Sequence, residues 1–259
     1  MSAERTGIFL HEYRMMITRR GVWLAYAVVF VFHSLAVFRM NDPASSPFVG
    51  LGAWRAAGEF LYVLNLFTPL IAGIASADRL VRDRVLGVRE LQRSSPRAAG
   101  VLLAEKYLGV LAAALTPNLL YVIGVAVWAI LTGAQTASFF SSLLAGFAVI
   151  TIPAFAFVVA FSLACPLLMP VRIYQVLLTG YWFWGNYLPP EMFPTLNGSL
   201  LTPAGIFALH GFFGGRVGTA KDIIHTSGEA VVNLAVLFAA VFAVLALAAR
   251  FMAWREQDS

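Results

Sequence analysis

The sequence predicts an all-helical integral membrane protein with six spanning helices, and three observations support this class. Apolar residues make up 60% of the 259 residues, against roughly 45–50% in soluble domains. Charged residues make up 12%, about half of the usual share. Six nearly uncharged apolar runs have the length of about 17–25 residues that crosses the hydrocarbon of a bilayer. A soluble enzyme and a disordered chain are both disfavoured, because neither keeps this much apolar surface in water.

The six predicted spans form a single transmembrane domain over residues 1–259. They lie at 22–38, 60–77, 107–131, 139–163, 171–188 and 230–249. The basic residues decide the orientation, since positively charged loops stay in the cytoplasm. Of the 18 Lys and Arg residues, 14 fall on the side of both termini and four on the other side. We therefore expect a multi-pass protein of the cell inner (plasma) membrane with both termini in the cytoplasm.

A short amphipathic segment precedes the first span, from Phe9 to Arg20. Its apolar residues fall on one face at helical spacing, and most of its basic residues fall elsewhere. The apolar residues are Phe9, Leu10, Tyr13, Met16 and Ile17. This pattern predicts a helix that lies in the membrane interface, and a short solvated tail is the alternative.

The loop between the second and third spans, residues 78–106, concentrates seven of the 18 basic residues. Such a loop requires a protein partner or a headgroup surface. A short helix is predicted over 80–93 with an interruption at Gly87, and Ser95 then caps a second helix that starts at Pro96. If that helix continues to Leu131, it is roughly 54 Å long against ~30 Å of hydrocarbon. Its first turns therefore project into the cytoplasm.

This loop resembles the one between spans two and three of the ATP-binding cassette type-2 permeases. Those permeases commonly have an acidic residue and Arg, then Gly, then Glu-Leu, Pro and Lys at fixed spacing. The residues at these positions, matched without a gap, are Asp83, Arg84, Gly87, Glu90, Leu91, Pro96 and Lys106. The loop departs from the family pattern at Val88, Arg89 and Glu105. The motif covers this loop, while the topology covers the whole chain.

The resemblance implies that the loop carries a coupling helix, which inserts into a cleft on a separate nucleotide-binding ATPase subunit. It assigns the contacts with that subunit to Asp83, Arg84, Gly87, Glu90, Leu91 and Pro96. The segment from Phe9 to Arg20 resembles the connecting helix of the family. A second permease chain, in a homo- or heterodimer, is implied as well. The alternative for the loop is a basic segment held at the anionic membrane surface.

The chain lacks a phosphate-binding loop, which needs Gly-x-x-x-x-Gly-Lys followed by Ser or Thr. Its only lysines, Lys106 and Lys221, are preceded by Glu105 and Ala220. We therefore expect no enzymatic activity and no cofactor in this chain, and ATP and Mg bound by the partner subunit. The four histidines are scattered without metal-ligand spacing. The basic residues are clustered beside predicted spans, which points to membrane lipids as partners and away from nucleic acid.

Residues 189–228 form a long segment between the fifth and sixth spans. Its apolar stretch 201–213 is too short to span and has the ~10–14 residues typical of re-entrant or interfacial segments. We predict a re-entrant helical hairpin that dips into the outer leaflet, as the resembled family often has here. A plain loop with an apolar patch is the alternative.

Polar residues inside the predicted spans are the candidates for a transport pathway, because burying an unpartnered amide in hydrocarbon costs about 0.5–7 kcal/mol. The clearest candidates are His33, Asn65, Asn118 and Gln175. Hydrogen bonding between helices is the alternative for each of them. Kinks in the second, third and fourth spans are expected at Pro69, Pro117 and Pro153.

Together these features predict the permease subunit of an ATP-binding cassette exporter. It would couple ATP hydrolysis by the separate subunit to export of a lipid-like, drug-like or peptide substrate. A membrane scaffold that recruits a cytoplasmic ATPase without transporting is the alternative. A secondary transporter is less favoured, because none of the 13 acidic residues lies inside a predicted span, where a driving ion would bind.

Overall fold

The computed structural model describes residues 7–38, 50–85, 99–188, 194–216 and 224–257. The helices before residue 99 are α1 (Gly7–Ile17), α2 (Arg20–Phe38), α3 (Ala53–Asn65), α4 (Thr68–Ser76) and α5 (Arg79–Val85). The later elements are α6 (Ala99–Leu131), α7 (Ser138–Gly146), a π-helical turn (Phe147–Thr151), α8 (Ile152–Ala164), a 3-10 turn (Cys165–Leu167), α9 (Val171–Asn186), α10 (Ile206–Phe213) and α11 (Ser227–Gln257). These ranges contain no strand, and the predicted all-helical class is confirmed for them.

Four helical stretches are long and apolar enough to cross a membrane. They are Ala53–Arg82, Gly100–Leu131, Ser138–Leu167 and Ser227–Arg255. Helices α1 and α2 together make a fifth candidate, although they are bent by 60° relative to each other. The described residues are thus compatible with a multi-pass membrane protein that has four to five spans, where the sequence predicted six.

The predicted fifth span, 171–188, is the main cause of the lower count. Helix α9 has 16 residues and is therefore about 24 Å long, short of the ~30 Å of hydrocarbon. Near its end, the Trp182 indole N–H donates to the Leu66 carbonyl at 2.6 Å, beside the break between α3 and α4. Helix α10 packs against the part of α3 beyond this point, where Phe213 occupies the space next to Gly58. Helix α9 therefore extends along the bundle as far as the break between α3 and α4, and α10 packs against the part of α3 beyond it.

Buried apolar side chains form two clusters that follow one another along the helices. Helix α6 contributes residues 103–114 to one cluster and residues 122–129 to the other. We call the first the loop-side core, because it includes Leu80 and Leu103 near the two ends of the 78–106 segment, and the second the distal core. Large buried members of the loop-side core are Met16, Tyr26, Phe155, Leu163 and Trp182. Those of the distal core are Phe60, Leu61, Phe139, Leu143 and Ile150.

Two helical stretches depart from regular geometry where the two cores meet and a third contains a proline there, and we call this position the mid-bundle level. Helices α3 and α4 are separated at Leu66 and Phe67. Pro117 lies inside α6 between the residues of the two cores, and the π-helical turn precedes α8. Since proline and π-turns interrupt the regular hydrogen-bond ladder, backbone carbonyl groups at this level are free to accept from side chains.

Helix α1 packs against α6 through a glycine contact. A side chain on Gly109 would lie 2.6 Å from the Phe9 carbonyl oxygen, so the two backbones approach closely. The buried residues of α1 are Glu12 and Met16, while Leu10 is 42% exposed. The buried face of this helix is therefore rotated away from part of the predicted apolar face, and it contains a carboxylate.

The described part of the predicted outer segment contains one short helix, α10, which is largely buried. Gly205 precedes it at φ 97° and Gly214 follows it at φ 63°, and this left-handed backbone favours glycine at both ends. Helix α11 then starts with a capping box, in which the Thr226 backbone N–H donates to the Glu229 carboxylate at 2.6 Å. Of the predicted hairpin, the described residues show this single helix.

Candidate functional sites

The residues that the resemblance assigns to ATPase docking lie mostly outside the described ranges. Asp83 and Arg84 are near the end of α5. The other four, Gly87, Glu90, Leu91 and Pro96, lie outside the described residues. What the structure describes is therefore the two ends of the loop, at α5 and at the start of α6.

A buried carboxylate on α1 connects both ends of this loop. Glu12 is 2% exposed, and the Lys106 ammonium of α6 donates to it at 2.5 Å. The Arg79 guanidinium of α5 lies 3.8 Å from its second oxygen. Both cations are buried as well. Because a buried charge requires a partner, these three side chains fix α1, α5 and α6 relative to one another.

A second ion pair lies at the bend between α1 and α2. The Arg19 guanidinium donates to both oxygens of Asp78, at 3.2 and 3.1 Å. It also donates to the Ala75 carbonyl at 3.2 Å. This two-point geometry is the strong form of the arginine–carboxylate interaction, and it ties the bend to the end of α4. We call Glu12, Arg19, Asp78, Arg79 and Lys106 together the loop-end cluster.

Sequence reasoning missed Glu12, although the pattern contained a signal for it. Glu12 lies three residues after Phe9 and four before Met16, a spacing that places all three on one helix face. An acidic residue on the apolar face of an amphipathic helix is costly unless a buried cation meets it. The candidates for that cation were the basic residues at the ends of the neighbouring loop.

The four candidate pathway residues make separate contacts. His33 is buried, and its Nδ1 lies 3.0 Å from the Tyr121 hydroxyl. The Gln175 amide donates to the Ile74 carbonyl at 3.0 Å on the partly exposed side of α9. Within the described part of the chain, no hydrogen bond joins two of the four. These two residues therefore connect neighbouring helices, which is the alternative role that the sequence left open.

Asn65 and Asn118 lie at the mid-bundle level and differ in how their amides are satisfied. The Asn65 amide nitrogen donates to the Ile150 carbonyl at 2.9 Å and to the Ala204 carbonyl at 3.3 Å. Its oxygen has no hydrogen-bond partner among the described residues, and neither amide atom of Asn118 has one there. The Thr151 hydroxyl is also buried and has no hydrogen-bond partner among the described residues. Each such atom costs about 1–3 kcal/mol when it is buried without a partner.

A second group of ionisable side chains lies at the distal end, near α10. The Glu59 carboxylate accepts from the Arg55 side chain at 2.9 Å and from the Arg216 backbone N–H at 3.2 Å. Sequence analysis placed Glu59 one residue outside the second span, but α3 begins at Ala53 and includes it. Glu59 is only 7% exposed, so its carboxylate is buried at the distal end and is paired there with Arg55.

Two histidines stack near the start of α11. The rings of His210 and His225 lie 5.4 Å apart, and His225 stacks on Phe207 at 3.7 Å. Burial and the neighbouring His225 lower the pKa of His210 to about 4. Burial also lowers the pKa of His225, although the Glu229 carboxylate opposes this shift. Both rings are therefore neutral near pH 7.

Comparison with known proteins adds no relative. No family model matches the chain, and neither a curated protein nor a solved structure matches it. The resemblance of the 83–106 loop to the type-2 permeases therefore stays a prediction that rests on the residues of this chain.

Proposed function

We propose that this chain is the transmembrane permease subunit of an ATP-binding cassette exporter. In this proposal a separate nucleotide-binding subunit hydrolyses ATP and docks on the 78–106 loop. Two permease chains and two ATPase chains form the working complex. The observation that best supports the proposal is the position of Glu12, whose carboxylate bonds to Lys106 and faces Arg79 across the two ends of that loop.

The contacts of the loop-end cluster favour transmission of movement from the loop into the bundle. Helix α6 has 33 residues and is about 50 Å long, and it carries Lys106 near its start. A push on the loop would move α5 and α6 together, because Glu12 binds a cation on each. The Arg19–Asp78 ion pair would transmit the same displacement to the bend between α1 and α2. Rigid helices joined by buried ion pairs act as a lever of this kind.

We further propose six membrane crossings with both termini in the cytoplasm. In this arrangement α2 and α9 each make a crossing despite their length. Helix α10 fills the outer half of the bundle next to α3, as a re-entrant element does. The loop-end cluster then lies at the cytoplasmic surface, where an ATPase would be. The excess of basic residues on that side supports this orientation.

The mid-bundle level is the proposed place of contact with the substrate. Asn118, Asn65 and Thr151 hold buried polar atoms without a partner among the described residues, surrounded by apolar side chains of both cores. A mainly apolar passage with a few amide and hydroxyl groups suits an amphipathic substrate that is lipid-like, drug-like or peptidic. Helix movement at the break between α3 and α4 and at Pro117 of α6 would open this level.

Purification of the tagged chain from its native membrane in mild detergent tests the proposal directly. Mass spectrometry is expected to identify a stoichiometric polypeptide with a phosphate-binding loop. The complex is expected to hydrolyse ATP and to respond to a transported substrate. A chain that is reproducibly alone, or that binds a partner without nucleotide chemistry, contradicts the proposal. An ATPase partner whose turnover no substrate stimulates would favour the scaffold instead.

A point substitution then tests where the ATPase docks. Gly87→Arg is expected to detach or uncouple the ATPase, because a large side chain blocks close backbone approach. Gly100→Arg is the matched control, since Gly100 is exposed at the start of α6 and the nearest atom to an added Cβ lies 3.8 Å away. Normal ATPase binding and turnover in the Gly87 variant would contradict docking at this loop, provided that both variants are inserted in the membrane.

A further inference from the structure

A groove of about 610 Å³ lies between α2 and the α4–α5 segment, and it is charged at one end. The charged side chains that line it are Arg19, Arg20, Asp78 and Arg82. Asp78 is held by Arg19 through two hydrogen bonds, so this pair is internally neutral. Arg20 and Arg82 are exposed, and neither forms an ion pair with any described residue. Three arginines and one aspartate give the groove a net charge of +2.

The rest of the groove is apolar. Ile71 and Ile74 of α4 line one wall, and Val22 of α2 lines the other. On α2 the neighbouring Leu24 is 68% exposed, so the apolar wall continues onto the outer surface of the bundle. At Gly21 an added side chain would meet no atom within 4 Å, which leaves the charged end of the groove open.

The groove thus has charged groups at one end and apolar groups along the rest, which is the arrangement that an amphiphilic ligand requires. The charged end is rich in guanidinium groups, which favour phosphate because of their planar set of donors. The apolar wall begins directly beside it and runs along α2 and α4. A free phosphate ion would use the charged end alone and would leave the apolar wall uncovered. A molecule with a phosphate and an acyl chain covers both.

We propose that this groove binds one anionic phospholipid, with its phosphate against Arg20 and Arg82 and an acyl chain along Ile71 and Ile74. The lipid would hold α2 against α4 next to the Arg19–Asp78 pair. It would thereby stabilise the bend between α1 and α2. The inference requires a bilayer around the chain but no ATPase partner, so it goes beyond the proposed transport function and can fail or succeed independently of it.

Native mass spectrometry of the purified chain in detergent tests this site, with phosphatidylglycerol and phosphatidylcholine as the probes. The chain is expected to retain phosphatidylglycerol at least tenfold more tightly. The double variant Arg20→Gln, Arg82→Gln is expected to lose about 30-fold in affinity, since each arginine near an anionic lipid contributes roughly fivefold. The control variant Arg172→Gln, Arg250→Gln removes two arginines outside the groove and is expected to change the affinity less than twofold.

A second variant tests the groove without changing its charge. Gly21→Phe fills the open end, and Gly180→Phe places the same side chain on α9, where it also meets no atom within 4 Å. Only the Gly21 variant is expected to lose phosphatidylglycerol. Equal retention of the two lipids, or equal loss in both arginine double variants, would overturn the site. Displacement of the lipid by millimolar inorganic phosphate would assign the charged end to a free anion and would also overturn it.

Discussion

Replacing Glu12 by glutamine is expected to destabilise the chain strongly, because its carboxylate meets both Lys106 and Arg79. Glu12→Gln keeps the shape of the side chain but removes the negative charge that these two cations face. The side chains of Lys106 and Arg79 are only 7% and 4% exposed, so water cannot replace the carboxylate. Removing one partner of a buried ion pair typically costs about 3–5 kcal/mol. We expect a loss of that size in the free energy of unfolding.

A double-mutant cycle separates the ion pair from other effects of the substitution. In the Glu12→Gln background, Lys106→Met removes one of the two cations that faced the Glu12 carboxylate and is expected to recover part of the loss. The coupling energy between the two sites is expected to be about 1–3 kcal/mol. Arg14→Gln is the matched control, because Arg14 is an exposed cation on the same helix, and a change below about 0.5 kcal/mol is expected.

The assay is titration of the folded chain with sodium dodecyl sulfate in mixed micelles, followed by tryptophan fluorescence. The midpoint and slope give the free energy of unfolding for each variant. If Glu12→Gln unfolds within about 0.5 kcal/mol of the parent, the usual range of surface substitutions, the buried pair does not hold α1 in place. Strict additivity of the two substitutions would refute the reasoning as well, since it would show that the two charges do not interact.

Four further substitutions are expected to change stability or its pH dependence in defined directions, measured by the same titration. Gly109→Ala is expected to destabilise the chain by about 1–3 kcal/mol, because the added methyl group meets the α1 backbone 2.6 Å away. Gly124→Ala on the same helix is the control. Its methyl group meets no atom within 4 Å, and it should stabilise the chain by about 0.5–1 kcal/mol. The pKa of His210 is about 4 when folded and ~6.5 when unfolded, so stability should fall as the pH drops from 7 towards 4, and His210→Phe should flatten this slope. Trp182→Phe should cost about 0.5–1.5 kcal/mol through loss of the hydrogen bond to Leu66, since the Leu66 carbonyl still accepts from the Tyr187 hydroxyl; a wild-type midpoint would contradict it.

Hydropathy alone located the helices of this chain well, because long apolar runs have few alternatives to helical structure in a membrane. Each of the six predicted spans coincides with a helix or a pair of helices. The lengths were less predictable. The run 171–188 reads as one span, yet α9 ends at Asn186 next to the break in α3–α4. That end is set by contacts with residues far away in the chain, such as Leu66. Hydropathy carries no information about such contacts.

The candidate sites were predictable only in part. The charge-rich loop and its ends could be identified from the basic residues of 78–106, and the mid-bundle irregularities follow from Pro69, Pro117 and Pro153. The pairing of Glu12 with Lys106 could not be assigned, because the two residues are 94 positions apart in the chain. Several cations were available to Glu12, and packing of α1 on α6 selects among them.

Helix α11 has a consequence for how the chain is made. It provides Ala230 to the distal core and Leu237, Val241 and Ala248 to the loop-side core. In a bilayer, neither core is complete until α11 has left the ribosome and been inserted. During synthesis the preceding helices are therefore incompletely packed, and the amides of Asn65 and Asn118 lie in a half-built bundle. A membrane chaperone or protease would meet the chain in this window, and its commitment to the folded state follows the insertion of α11.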